Sequence, residues 1–203
     1  MFARLKDCLP KHHPELLLDF DEYVETWGEL IETGYGSIVA DEKILPSLSL
    51  RGDAGARLFV EAALVLCYDA MRTWCKGRRV PDKARISLEN AVVDEVGRRV
   101  LGEEATGEFS SLYRVRLALF SQLMPGSGKT DKDAVLHELV GAARYAASRC
   151  SSRDEERDVE GIQLLALHFV RAHALFLQLS ANSIPDGNTI LFKKPRFIVR
   201  EGE

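Results

Sequence analysis

The residues 124–130 read MPGSGKT, and the Gly-Lys-Thr ending is the one with which many ATPases and GTPases hold phosphates. The full pattern is G-x-x-x-x-G-K-[S/T]. With Gly128, Lys129 and Thr130 at its end, Leu123 stands where the first glycine belongs. A phosphate loop also follows a buried parallel strand and opens a helix whose free N–H groups face the phosphates. Here the preceding residues have helical spacing, and the following turn carries Asp131 and Asp133, which would repel a polyphosphate. A turn between two helices, with Thr130 or Asp131 capping the second, accounts for every residue, so no nucleotide cofactor is expected.

Metal chemistry is the next possibility. Glu22/Glu25 and Glu29/Glu32 are E-x-x-E pairs, a spacing that places both carboxylates on one helix face, as in magnesium-dependent helical pyrophosphatases. Such sites need a second acidic pair across the metal. Glu89, Asp94 and Glu95 are the nearest material and are wrongly spaced, so a solvated acidic face is expected. The five histidines, at 12, 13, 137, 168 and 173, form no E-x-x-H, H-x-x-x-H or H-E-x-x-H pattern. On a helical wheel His168 falls on the polar arc with Gln163, Arg171 and Gln178. His173 points to the apolar side near Phe169 and Phe176, as a core histidine satisfied by a hydrogen bond. Serine, histidine and aspartate all occur, but without a G-x-S-x-G elbow. The cysteines, at 8, 67, 75 and 150, make no Cys-x-x-Cys pair and are expected to be free thiols. No catalytic, cofactor or metal residue is therefore assigned.

Two basic clusters remain. Lys76, Arg78, Arg79, Lys83 and Arg85 crowd one connector, and Lys193, Lys194, Arg196 and Arg200 are interleaved with Phe192 and Phe197 near the C-terminus. Cations with aromatics can grip phosphate and stack on bases. They can equally bind an acidic helix face, or lie in solvated loops. The residues taken forward for a partner or nucleic acid are Arg78, Arg79, Lys83, Arg85, Lys193, Lys194, Arg196 and Phe197.

The elements that would position these residues are helices. The 203 residues are 46% hydrophobic and 29% charged, which suits one full-sized globular domain. A net charge of −4 gives no global attraction to nucleic acid or to an anionic membrane. The spacing predicts a helix over 14–33, started by Pro14 and stopped at Gly34, with Leu16, Phe20, Tyr23, Trp27, Leu30 and Ile31 inward. Residues 35–52 are expected to be irregular, with one short strand at most. A buried helix follows over 53–76, with Arg57, Glu61, Asp69, Arg72 and Lys76 on a polar arc. Further helices are predicted over 84–101, from Thr106 to about 123, over 131–149, and over 154–181. The segment RVRLALF also alternates as a strand would, and the last helix is the most apolar and is placed at the centre of the bundle.

The fold expected is all-α: a single-domain bundle of about six helices over 1–182, with an extended or hairpin-like tail over 183–203. The tail is expected to pack on its own bundle, to pair with the SIV segment near residue 38, or to dock on a partner. Residues 1–20 lack the uninterrupted apolar run of a signal peptide, and charges interrupt 58–71 and 162–181, so no membrane span and a cytoplasmic location are expected. The leading functional expectation is a non-catalytic interaction module, an adaptor or assembly subunit that binds another protein or its own copies. The alternatives are a helical subunit of an RNA- or single-stranded-DNA-binding assembly, such as a CRISPR effector, and a helical enzyme with an unrecognised site.

Overall fold

The computed structural model describes residues 15–76, 78–125, 132–150, 158–183 and 189–193. They form an all-α bundle with a short two-stranded parallel sheet. In chain order the elements are β1 (Glu15–Leu18), α1 (Phe20–Val39), α2 (Ile44–Ser47), α3 (Asp53–Cys75), α4 (Asp82–Leu101), a 3-10 turn (Glu103–Ala105), α5 (Thr106–Leu123), α6 (Lys132–Ser148), α7 (Val159–Ser183) and β2 (Thr189–Phe192).

The first predicted helix needs correction at both ends. It begins after Asp19, whose carboxylate accepts from the Glu22 N–H at 3.3 Å and caps the helix. The residues before that cap, Glu15 to Leu18, form a strand with Leu16 and Leu18 half-buried. Nor does the helix stop at Gly34. A Cβ on that residue would lie 3.1 Å from Cβ of Ala172, so Gly34 marks a close crossing of α1 over α7. α1 therefore runs to Val39, and α2 follows, so half of the stretch expected to be irregular is helical. RVRLALF lies within α5, where its helical spacing outweighs its alternation.

The centre of the bundle is α3, where the sequence pointed to the last helix. α3 packs on α1, α4, α5, α6 and α7. Its alanines Ala62, Ala63 and Ala70 are fully buried and let neighbours approach closely. Two of its supposed solvent-facing charges are buried as well: Glu61 is 6% exposed and Asp69 1% exposed. Ion pairs make this possible, because a buried carboxylate is tolerated when a cation and hydrogen bonds replace its water. Arg116 of α5 holds Glu61 at 3.0 Å. α7, in contrast, leaves Leu167, Leu175 and Leu177 exposed. By length and hydropathy Val159–Asn182 is long and apolar enough to cross a membrane, despite its charges. In this structure its inner face, with Leu165, Phe169 and Phe176 fully buried, packs on α1, α2, α3 and α6.

β2 is the described part of the extended tail. Among the described residues it does not meet the SIV segment, which is in α1. It runs parallel to β1, with Glu15 opposite Thr189 and Leu18 opposite Phe192. Its other edge bridges to Arg79, whose carbonyl accepts from the Ile190 N–H at 3.0 Å. Phe192 stacks on Trp74 and meets Phe20 edge-on, so the tail's first apolar run closes the end of its own bundle.

Candidate functional site

Five of the helices turn one face each to a common cavity of about 500 Å3. From α3 come Tyr68, Arg72 and Cys75, at the i, i+4, i+7 spacing of one helix face, with Met71 beside them. From α4 come Arg85 and Glu89. Leu117 and Ser121 come from α5, Val135 and Glu138 from α6, and His173 and Leu177 from α7. Each of these pairs is three or four residues apart, as helix faces require. Thr73 and Lys76 near the end of α3, with Met124 and Pro125 just after α5, complete the lining, and its surface is mainly apolar.

Four charged or polar side chains organise one wall. Arg72 donates through Nε to Asp69 Oδ1 at 2.8 Å and through Nη1 to the Met124 carbonyl at 3.1 Å and to the Glu138 carboxylate. His173 Nδ1 lies 2.9 Å from Asp69 Oδ2. Asp69 is an acceptor with two donors, so the His173 proton facing it sits on Nδ1. Burial opposes the Arg72 charge, but the Asp69 and Glu138 carboxylates outweigh it and hold its pKa above the ordinary arginine value. Burial is the main cause that pushes the Tyr68 phenol up and the Cys75 thiol up to about 11. Neither is therefore a ready nucleophile near neutral pH.

A second constellation joins α1 to α7. His168 Nδ1 lies 3.0 Å from Ser37 Oγ, and its Nε2 lies 3.0 Å from Asp41 Oδ2. Serine, histidine and aspartate stand in hydrolase order here, but Ser37 sits inside a helix and donates to the Gly34 carbonyl at 2.7 Å. None of the three lines the cavity. We read the trio as a clasp that holds the end of α1 against α7. His168, expected on the polar arc, is buried, and Asp41 and Ser37 take the place of its water.

The basic residues divide. Arg78 donates to the Trp74 and Ser180 carbonyls and to the Ser180 hydroxyl at 2.6 Å, so it ties the connector to α7. Arg85 lies within 3.6 Å of Glu89 and 3.8 Å of Asp82 and lines the cavity. Arg79 and Lys83 are exposed, and Lys193 is exposed at the far end of β2. The Arg79–Thr189 bridge thus brings the connector and the tail side by side. Lys194, Arg196 and Phe197 lie outside the described residues, as do Thr130 and Asp131. Thr130 and Asp131 fall in the sequence between α5 and α6.

The E-x-x-E carboxylates Glu29 and Glu32 face Arg99 of α4, at 3.9 and 2.9 Å. Among the described residues no group of histidine, cysteine and carboxylate side chains is placed to hold a metal ion. Sequence reasoning noticed His173 but not its partner, because Asp69 lies on another helix and no local spacing links the two. The cavity itself left no sequence signal, since its lining is spread over five helices, four of which contribute only two residues each. Comparison with protein-family models, with curated proteins and with solved structures gives no match for this chain.

Proposed function

We propose that this chain is a non-catalytic helical binding module whose recognition site is the cavity between α3, α4, α5, α6 and α7. The ligand is a small organic molecule with an apolar body and a polar end. One observation carries this reading: a cavity of about 500 Å3, mainly apolar, has an ordered polar wall at Arg72, Glu138 and His173, held from behind by Asp69. That volume is within the range of small-molecule sites, in which a few fixed polar groups orient an otherwise apolar ligand. Titration with the neutral fluorescent probe N-phenylnaphthylamine tests it. Saturable binding is expected, weakened at least about tenfold by Leu117→Trp, which fills the cavity, and unaffected by Leu101→Trp, which lies outside it. The reading falls if binding does not saturate, or if both variants behave alike.

Self-association, expected from the sequence, has its own support. Leu167 and Leu175 are exposed at 45% and 38%, about two turns apart and so on one side of α7. A second copy covering this face would give a dimer by light scattering, and Leu167→Glu with Leu175→Glu would return it to the monomer.

A further inference from the structure

The polar wall also narrows the chemistry of the ligand, an argument that rests on the cavity being a binding site. Asp69 is 1% exposed and takes donors from two helices, Arg72 Nε at 2.8 Å and His173 Nδ1 at 2.9 Å. The carboxylate therefore fixes the imidazole ring and its tautomer, and Nε2 becomes the ring's open position. Among the described contacts, neither His173 Nε2 nor Arg72 Nη2 has a protein partner. Both side chains bind the same carboxylate and both line the cavity, so its wall carries an acceptor and a donor.

Charge decides what can meet that pair. Asp69 and Glu138 flank Arg72, and on the facing wall both Glu89 oxygens are engaged, by Tyr113 Oη at 2.7 Å and by Arg85 at 3.6 Å. A carboxylate ligand has no proton to offer Nε2 and would lie beside Asp69 and Glu138. An ammonium ligand would meet Arg72, Arg85 and Lys76. A hydroxyl both donates and accepts, so it satisfies the two open positions at once. The remaining lining includes Met71, Met124 and Tyr68, and methionine sulfur packs favourably against aromatic ring edges. We infer that the cavity takes a hydroxy-aromatic ligand, whose phenolic O–H gives its proton to His173 Nε2 while its oxygen accepts from Arg72 Nη2.

The step is a reversible proton transfer. The O–H bond opens, an N–H bond forms on Nε2, the phenolate is held by the guanidinium, and the proton returns when the ligand leaves. Such an arrangement makes the proton on the ligand part of the recognition. A site built around a hydroxyl rejects the analogue that lacks it, because its own polar groups are then left without partners.

p-Nitrophenol tests this on the intact chain, since its visible band marks the phenolate, and p-nitroanisole is the same ring without the proton. In buffer acid enough to keep free p-nitrophenol mostly protonated, saturable binding with growth of the phenolate band is expected. p-Nitroanisole should bind at least about tenfold more weakly. His173→Gln keeps a donor for Asp69 but accepts no proton, so the band should disappear and p-nitrophenol affinity should fall to that of p-nitroanisole. A thermal melt of the variant establishes that it is folded, and Arg72→Lys, which keeps the charge, should weaken the band without abolishing it. If both compounds bind equally and no phenolate forms, the hydroxyl assignment fails and the cavity reading stands. If neither binds, both fail.

Discussion

Arg78 and Ser180 are joined through both side chain and backbone: the guanidinium donates to the Ser180 hydroxyl at 2.6 Å and also to its carbonyl. The connector between α3 and α4 is in this way fastened to the last turns of α7. A residue that the sequence offers as a free cation for a partner is in fact part of the framework.

Arg78→Glu should therefore act on stability. It removes several charge-assisted hydrogen bonds and sets a carboxylate among carbonyl oxygens, at a cost of about 3 kcal/mol. Arg79→Glu, one residue on and exposed, should change stability by less than about 0.5 kcal/mol. Urea unfolding of the two variants makes the comparison, and equal midpoints would contradict the structural role of Arg78.

Gly161 in the first turn of α7 gives a second test. A Cβ there would lie 2.5 Å from Leu48 Cγ and 3.0 Å from the Leu48 backbone nitrogen. The backbone cannot yield as a side-chain tip can, so Gly161→Ala should cost about 2 kcal/mol despite alanine's better helix propensity. In a double-mutant cycle with Leu48→Ala, the two losses should sum to more than the double variant loses. Strict additivity would mean that the crossing is looser than described.

The clasp at His168 carries a pH dependence. Its hydrogen bond to Asp41 is the main reason the Asp41 carboxyl is held below its ordinary value of 3.8, with the Lys43 N–H adding to it. A carboxyl lowered on folding contributes stability above its unfolded pKa and loses it as pH falls through the folded value. The wild type should thus be more stable than Asp41→Asn near neutrality, with the advantage shrinking as pH falls below about 4. Urea midpoints over that range read it, and an advantage that stays constant would rule out the pairing.

Much of the bundle is legible in the sequence because apolar spacing is a local signal. Helices α4 and α6 fall within two residues of the predicted spans. What the sequence conceals is non-local. The strand at Glu15–Leu18 looks like a first helical turn until a partner far along the chain supplies its ladder. Gly34 resembles a helix stop because its use, a close approach to Ala172, is invisible from one segment. Asp69 counts as a surface charge until Arg72 and His173 are found around it. The candidate site fails to show for the same reason: its one polar wall needs α3, α6 and α7 together.

The parallel pairing of β1 with β2 bears on how the chain reaches this state. Its partners lie almost the whole described chain apart, farther than those of any helix pair, whereas α4 with α5 and α6 with α7 pack as neighbours in sequence. Closing so long a loop gains little until the intervening helices have shortened it, so the ladder is expected to form last. Phe192 then settles on Trp74 and Phe20 as a latch over a bundle already assembled. The same order read backwards makes this corner the first to open, so the amides of Leu16 to Leu18 should exchange with solvent ahead of those in α3.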